Sequence, residues 1–430
     1  MTSGEAPGPA ARTSRSAQRI SLEVSKMFDT GNTAFMLLAT SLVMLMTPGL
    51  AFFYGGLVGR KNVLAIMIQS FLSMGWTSVI WFTVGYSLCF SGNPGGIIGN
   101  LRMAFLHGVT PDAVLSPTNN IPLLVFIAYQ MMFAIITPAL ITGAFTNRVR
   151  FTAYMVFLTV WLLFVYFPAV HMIWGGGLLQ KWGVLDFAGG IVVHAIAGMA
   201  ALAAVFFVGR RKVHETGPHS IPLVALGTGL LWFGWYGFNA GSELRVDHIT
   251  SLAFLNTDTA ASFAAVTWLI MAWVFEKKPK FLGLLTGSIA GLATITPAAG
   301  YVTVPVSALI GIAAGVVCYA AISWKNKMGW DDALDVWGVH GVGGVLGILL
   351  LGVFATLKVN PNGANGLLFG GTSFFFKEAA AVIGFGAYAF TFSYVALYII
   401  NKITKVRITA EEENMGLDSV LHGEEAYLPD

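Results

Sequence analysis

What most restricts the fold of this chain is a series of eleven apolar stretches, at 33–58, 62–90, 121–145, 151–168, 187–208, 221–241, 250–275, 281–297, 304–324, 336–355 and 372–401. Most approach the roughly 20 residues that carry an α-helix across a bilayer. Little charge remains to coat a water-facing surface: 10% of the residues are charged, against about 25% in soluble proteins. The chain therefore reads as an all-α polytopic membrane protein. Its 50 glycines fit, because in membrane helices they let backbones approach closely. The net charge of +3 is accounted for by loop lysines and arginines, so no nucleic-acid partner is implied. Cys89 and Cys318 sit inside apolar stretches and imply no disulfide.

Lysine and arginine orient the spans. The connections after stretches 1, 3, 5, 7 and 9, with the tail, hold fifteen of them, including Arg60, Arg148, Arg211, Lys278, Lys325 and Arg407. The opposite connections and their edges hold five: Arg102, Lys181, Arg245, Lys358 and Lys377. The N-terminus is expected outside and the tail in the cytoplasm. Residues 1–29 are polar and read as a disordered arm without the apolar core of a secretory signal; Met27 is an alternative start. Residues 30–402 form the membrane domain and 403–430 an acidic tail.

Stretches 1–5 and 6–10 form two groups of five. Five is odd, so the second group enters from the opposite side and the two are inverted repeats, an architecture that places the substrate path at the repeat interface. The eleventh stretch is left to wrap the outside. Each group ends with one histidine in an apolar, small-residue segment: His194 in DFAGGIVVHAIAG and His340 in DVWGVHGVGGVLG. A membrane imidazole usually faces a protein interior or a pathway, so the pair is expected near the pseudo-twofold axis. Two histidines without further ligands fall short of a metal site, and no cofactor is implied. No nucleophile–base pair stands out, so an enzyme is not expected.

Several motifs are more specific: FYGGLVGRKNVL (53–64), HMIWGGGLL followed by LDFAGG and VVH (171–194), GWYGFNAGS (234–242), AGLATITPAAGYV (290–302), DVWGVHGVGG (335–344) and GLDSVLHGEEAY (416–427). Together they resemble the ammonium transporter (Amt) family of the Amt/Mep/Rh superfamily, prokaryotic type, from about residue 33 to the end. The resemblance implies an outer ammonium-recruiting site at Phe133, Trp174 and Ser242, where aromatic faces attract a cation and a hydroxyl accepts an N–H. Phe133 and Phe238 resemble the stacked gate below it, and His194 and His340 the twin pore histidines. Desolvation favours neutral imidazole, which keeps one donor and one acceptor nitrogen and can relay a proton.

Asp186 matches an aspartate near the vestibule. By position it caps the fifth helix, and its charge would favour cation recruitment and deprotonation; Asp335 is the expected counterpart on the tenth. His171 reads as architectural, and His107, His214, His219, His248 and His422 as loop, helix-end or tail residues without chemistry. Pro138, one turn past Phe133, is expected to kink or loosen the third helix. By composition the tail is a solvated extension; by resemblance it is a regulatory segment packing under neighbouring subunits. The resemblance further implies a homotrimer in the cell membrane, methylammonium as a second substrate, and a PII signal protein at the cytoplasmic face. The function expected is electrogenic uptake of ammonium as ammonia plus a proton. The rivals are a passive channel for neutral ammonia, as proposed for Rhesus relatives, and an ammonium sensor acting through PII.

Overall fold

The computed structural model describes residues 28–116, 118–213 and 217–427. Except for Phe28 and Asp29, the expected N-terminal arm with Met27 lies outside the described residues, as does His214. Helices dominate. They are α1 (Thr30–Leu57), α2 (Arg60–Phe90), α3 (Leu123–Phe145), α4 (Phe151–Trp182), α5 (Gly190–Val208), α6 (Ile221–Glu243), α7 (His248–Glu276), α8 (Phe281–Ile295), α9 (Val304–Met328), α10 (Trp337–Phe354) and α11 (Thr372–Ile403). Among the described residues ten are long and apolar enough to span a membrane, and α8 is the shorter one. A two-stranded hairpin, Val114–Ser116 with Asn119–Pro122, sits between α2 and α3.

The helix starts follow local chemistry. The Asp29 carboxylate accepts from Asn32 N at 2.7 Å and opens α1. Asp247 and Thr250 form a capping box at α7. One boundary differs from expectation. The fourth helix runs past 168: a widened π-helical turn over Leu162–Tyr166 accommodates Pro168, and the helix continues to Trp174 before a short piece at Leu178–Trp182. Around Pro138, α3 stays continuous, with the Thr137 hydroxyl bonded to the Phe133 carbonyl at 2.6 Å.

Large aromatic residues such as Trp81, Trp161, Tyr54 and Phe133 fill the centre, whereas Phe275 and Ile383 are each 65% exposed on the outside. An apolar exterior around an apolar core is stable in lipid and not in water. The halves meet along two close crossings. At α1 against α6, a Cβ on Gly227 would stand 2.2 Å from Phe53 N. At α5 against α10, a Cβ on Gly198 would stand 2.1 Å from Gly341 N, so nothing larger than glycine fits there.

The tail is docked rather than solvated, which corrects the reading from composition. Arg150 N bonds to Val406 O and Ile408 N to Arg148 O, tying the tail to the α3–α4 connection. The Asp418 carboxylate accepts from Leu64 N at 3.0 Å and Ala65 N at 2.8 Å, at the start of α2. Glu413 accepts from Val213 N at 3.0 Å. Tyr427 and His219 share a 2.9 Å bond, so His219 has a structural partner that its loop position did not reveal. These contacts lie within one chain.

Candidate functional site

His194 and His340 come together as expected. Their Nδ1 atoms are 3.2 Å apart and their rings are nearly parallel at 17°. In this arrangement one ring donates and the other accepts. Each histidine sits in a π-helical turn, Gly190–Ala195 at the start of α5 and Trp337–Gly341 at the start of α10. Such turns widen a helix by one residue and recur at functional sites.

Both turns are held by a carboxylate. Asp186 accepts from Gly189 N and Gly190 N on one oxygen and from Ile191 N and Val192 N on the other, at 2.6–3.1 Å. On α10 the residue doing this is Asp332, which accepts from Val336 N at 3.1 Å and Trp337 N at 2.8 Å. Asp335, expected in that place, instead pairs with the buried Lys325 ammonium at 2.5 Å. The spacing carries the signal: Asp186 stands eight residues before His194 and Asp332 eight before His340. Burial pushes the Asp332 carboxyl up to about 6, with the Lys325 charge opposing and the Asp335 charge adding.

Above the histidines runs a column of rings. His194 stacks on Phe238 at 6.1 Å, Phe238 on Phe133 at 4.3 Å, and Phe133 meets Trp174 edge to face at 5.9 Å. Trp235, not expected from the sequence, stacks on His194 at 5.5 Å and bonds Thr296 through its N–H; it lies one turn before Phe238 in the GWYGFN motif. The Trp174 N–H is committed to the Asp186 carbonyl at 2.7 Å. What its indole can offer a cation is therefore the ring face. Ser242 donates to Phe238 O at 2.9 Å and lies 3.2 Å from the Tyr129 hydroxyl. Even if Tyr129 donates to it, one Ser242 lone pair is left for an incoming N–H.

The slot where Phe238, Trp235, His194 and His340 meet is walled by Met46, Leu50 and Ile136 and has a volume of about 10 Å³, no more than one water requires. Beyond His340 it gives way to a cavity of about 230 Å³ lined by Tyr54, Arg211, Asp335 and His340. His171 is buried, bonded to Cys89 O at 2.8 Å and Asn93 Oδ1 at 3.1 Å, which fits an architectural role. Among the described residues no cluster of three or more His, Cys, Asp or Glu could hold a metal ion.

A membrane bundle with a dry, ring-lined path through its interior defines a transporter or channel. The model of the Ammonium Transporter Family matches residues 34–427. The ammonium transporter of Bacillus subtilis is 45% identical over 400 residues, covering 92% of this chain and 98% of its own. The crystal structure of Candida albicans Mep2 superposes with a TM-score of 0.84 at 35% identity, covering 90% of this chain and 88% of the other. A structure described as a sensor Amt protein superposes with a TM-score of 0.84 at 30% identity, covering 91% and 98%. The chain belongs to the ammonium transporter family, whose members are transporters and channels rather than enzymes.

Proposed function

We propose that the chain takes up ammonium electrogenically, splitting it into ammonia and a proton at the outer end of the ring column. The observation that carries this reading is the unbroken line Trp174, Phe133, Phe238, His194, His340 ending in a histidine–histidine hydrogen bond. The Trp174 and Phe133 rings and the Ser242 hydroxyl recruit the cation. Asp186, whose carboxylate is committed to four amides, favours the cation through its charge and supports the α5 turn rather than touching substrate. The Phe133 and Phe238 rings are in contact, so passage requires them to move, and an apolar gate favours neutral ammonia over a hydrated ion. Potassium matches ammonium in size but has no proton to shed, which supplies the selectivity. The proton follows along the imidazole pair.

The N-terminus lies outside and the tail in the cytoplasm, on the charge asymmetry of the connections. Residues 30–402 form the transport domain and 403–430 a regulatory tail, at the face where a PII signal protein would dock. The working form is a homotrimer in the cell membrane. Its support is Asp258 on α7, which accepts from Trp232 Nε1 and the Tyr236 hydroxyl on a half-buried face inside a span. A carboxylate there favours a covering protein surface over lipid. Methylammonium is a second substrate.

The test is the current evoked in proteoliposomes by a jump in ammonium at fixed pH and symmetric potassium. A saturable current that disappears in the double variant H194L/H340L supports the reading; an equally selective current in that variant refutes the relay. Ammonia flux without current would establish a passive channel instead. The likeness to a sensor Amt protein favours one second reading, a receptor working through the tail. Neither current nor flux, with the protein folded and oriented, would establish it.

A further inference from the structure

Glu378 lies on α11, the helix expected only to wrap the bundle, yet it is 0% exposed. Its Oε1 accepts from the backbone N–H of Leu185 at 2.6 Å. Its Oε2 has no hydrogen-bond partner among the described residues. A buried ionised carboxylate with one oxygen bare is heavily disfavoured, more so with the Asp186 carboxylate one residue beyond Leu185. An uncharged acid needs much less and can still accept from Leu185.

The segment it holds is the one on which the outer site is built. The Asp186 carbonyl takes the Trp174 N–H, and the Asp186 side chain takes the four amides that open the His194 turn. On the far side, Phe187 N bonds to Pro297 O at 3.2 Å. The segment is therefore tied to the α8–α9 connection at Phe187 and to α11 at Leu185. Glu378 lines neither the slot at the histidines nor the cavity below it, so it stands outside the proton path described above.

We propose that Glu378 is a positioning residue of the recruitment site, holding in its uncharged form, through the Leu185 N–H, the chain segment whose Asp186 carbonyl fixes the Trp174 ring. The eleventh helix is then part of the transport machinery. This rests on the reading of Trp174 as a cation-recruiting ring. Removing the acceptor loosens the segment at Leu185, misplaces the indole and weakens capture of ammonium before it slows passage.

The experiment measures ammonium-evoked current against concentration and pH in proteoliposomes for the wild type, E378A, E378Q and W174L. E378A is expected to raise the half-saturating ammonium concentration roughly five- to tenfold, the effect of one lost buried hydrogen bond, with the maximal current changed less. E378Q, which keeps the acceptor oxygen without a charge, is expected to restore half-saturation and the wild-type pH profile. An E378A half-saturation equal to wild type, or a pH profile shifted in E378Q, overturns the proposal. Should E378A fail to assemble, infrared spectra decide: a protonated-carboxyl band present in the wild type at neutral pH and missing from E378Q supports it, and no such difference overturns it. W174L reports on the recruitment reading separately. Unchanged half-saturation in W174L defeats that reading, whereas an impaired W174L beside an unimpaired E378A defeats only the role of Glu378.

Discussion

Gly198→Ala is a one-methyl change at the point where α5 crosses α10, and its effect can be worked from the geometry. The new Cβ would sit 2.1 Å from Gly341 N and 2.2 Å from Gly341 Cα, whereas ordinary contact begins at 3.4 Å. Both neighbours are backbone, so no side chain can swing away; the helices must part by 3.4 − 2.1 = 1.3 Å. His340 is the residue next to Gly341. A separation that size, passed to the rings, stretches the 3.2 Å histidine bond to about 4.5 Å, beyond hydrogen-bond reach. Overpacking costs about 1–3 kcal/mol of stability, which a polytopic protein is expected to survive. A displacement near 1 Å in a reacting pair costs up to about 100-fold in rate, so ammonium-evoked current should collapse in protein that still elutes as a single folded species. The control is Gly229→Ala on α6, where an added Cβ meets nothing within 4 Å. Wild-type current in G198A, or an equal loss in G229A, would refute the reasoning.

Other outcomes follow from the same contacts. D332A should fray the start of α10 at a cost of about 1 kcal/mol, seen as faster hydrogen exchange at residues 336–337, whereas D335A should leave those amides protected. Asp331 accepts from Arg211 at 2.7 Å. Burial alone would raise its carboxyl, but the Arg211 bond and the Arg148 charge outweigh that and hold it at about 2. The folded state thus binds fewer protons there than the unfolded one. The stabilisation is present above the ordinary value of 3.8 and is lost as pH falls through about 2. The gap in thermal midpoint between wild type and D331N should be constant above about pH 5 and close toward pH 2. D418A removes the acceptor for Leu64 N and Ala65 N and should make the tail accessible to limited proteolysis while the membrane helices stay protected. S242A should raise half-saturating ammonium several-fold, since one acceptor is worth about 1 kcal/mol; an unchanged value would remove Ser242 from the recruitment site.

The sequence discloses some of this more readily than the rest. The helical membrane class and the meeting of His194 with His340 follow from length, apolarity and the placement of one histidine in each group of five, because lipid leaves a helix few alternatives. The partner of Asp186 was misread, since Asp335 begins the motif DVWGVHG while Asp332 stands before it. Counting back eight from each histidine would have found Asp332. The π-helical turns at the two histidines leave no compositional trace, because the carboxylates that hold them bond to backbone amides. The glycine crossing was hidden among 50 glycines, since many others, such as Gly227, Gly311 and Gly347, also lie close against a backbone. Glu378 drew no reading from the sequence because it lies on the helix expected only to wrap the outside, and the tail looked solvated because no periodicity announces that its acidic residues accept from backbone amides.

The narrow slot between the ring gate and the cavity also has an electrical meaning. In the proposed orientation, water filling the cavity beside His340 from the cytoplasmic side would leave the membrane voltage little protein to fall across there. The voltage would concentrate in the short layer spanned by the two imidazoles and the phenylalanines above them. A unit charge crossing the whole voltage gains or loses about 2.3 kcal/mol per 100 mV. Most of that work would be done on the proton over the few ångströms of the histidine pair. The resting potential would then act as an inward pull on the one step that ammonia, being neutral, does not feel.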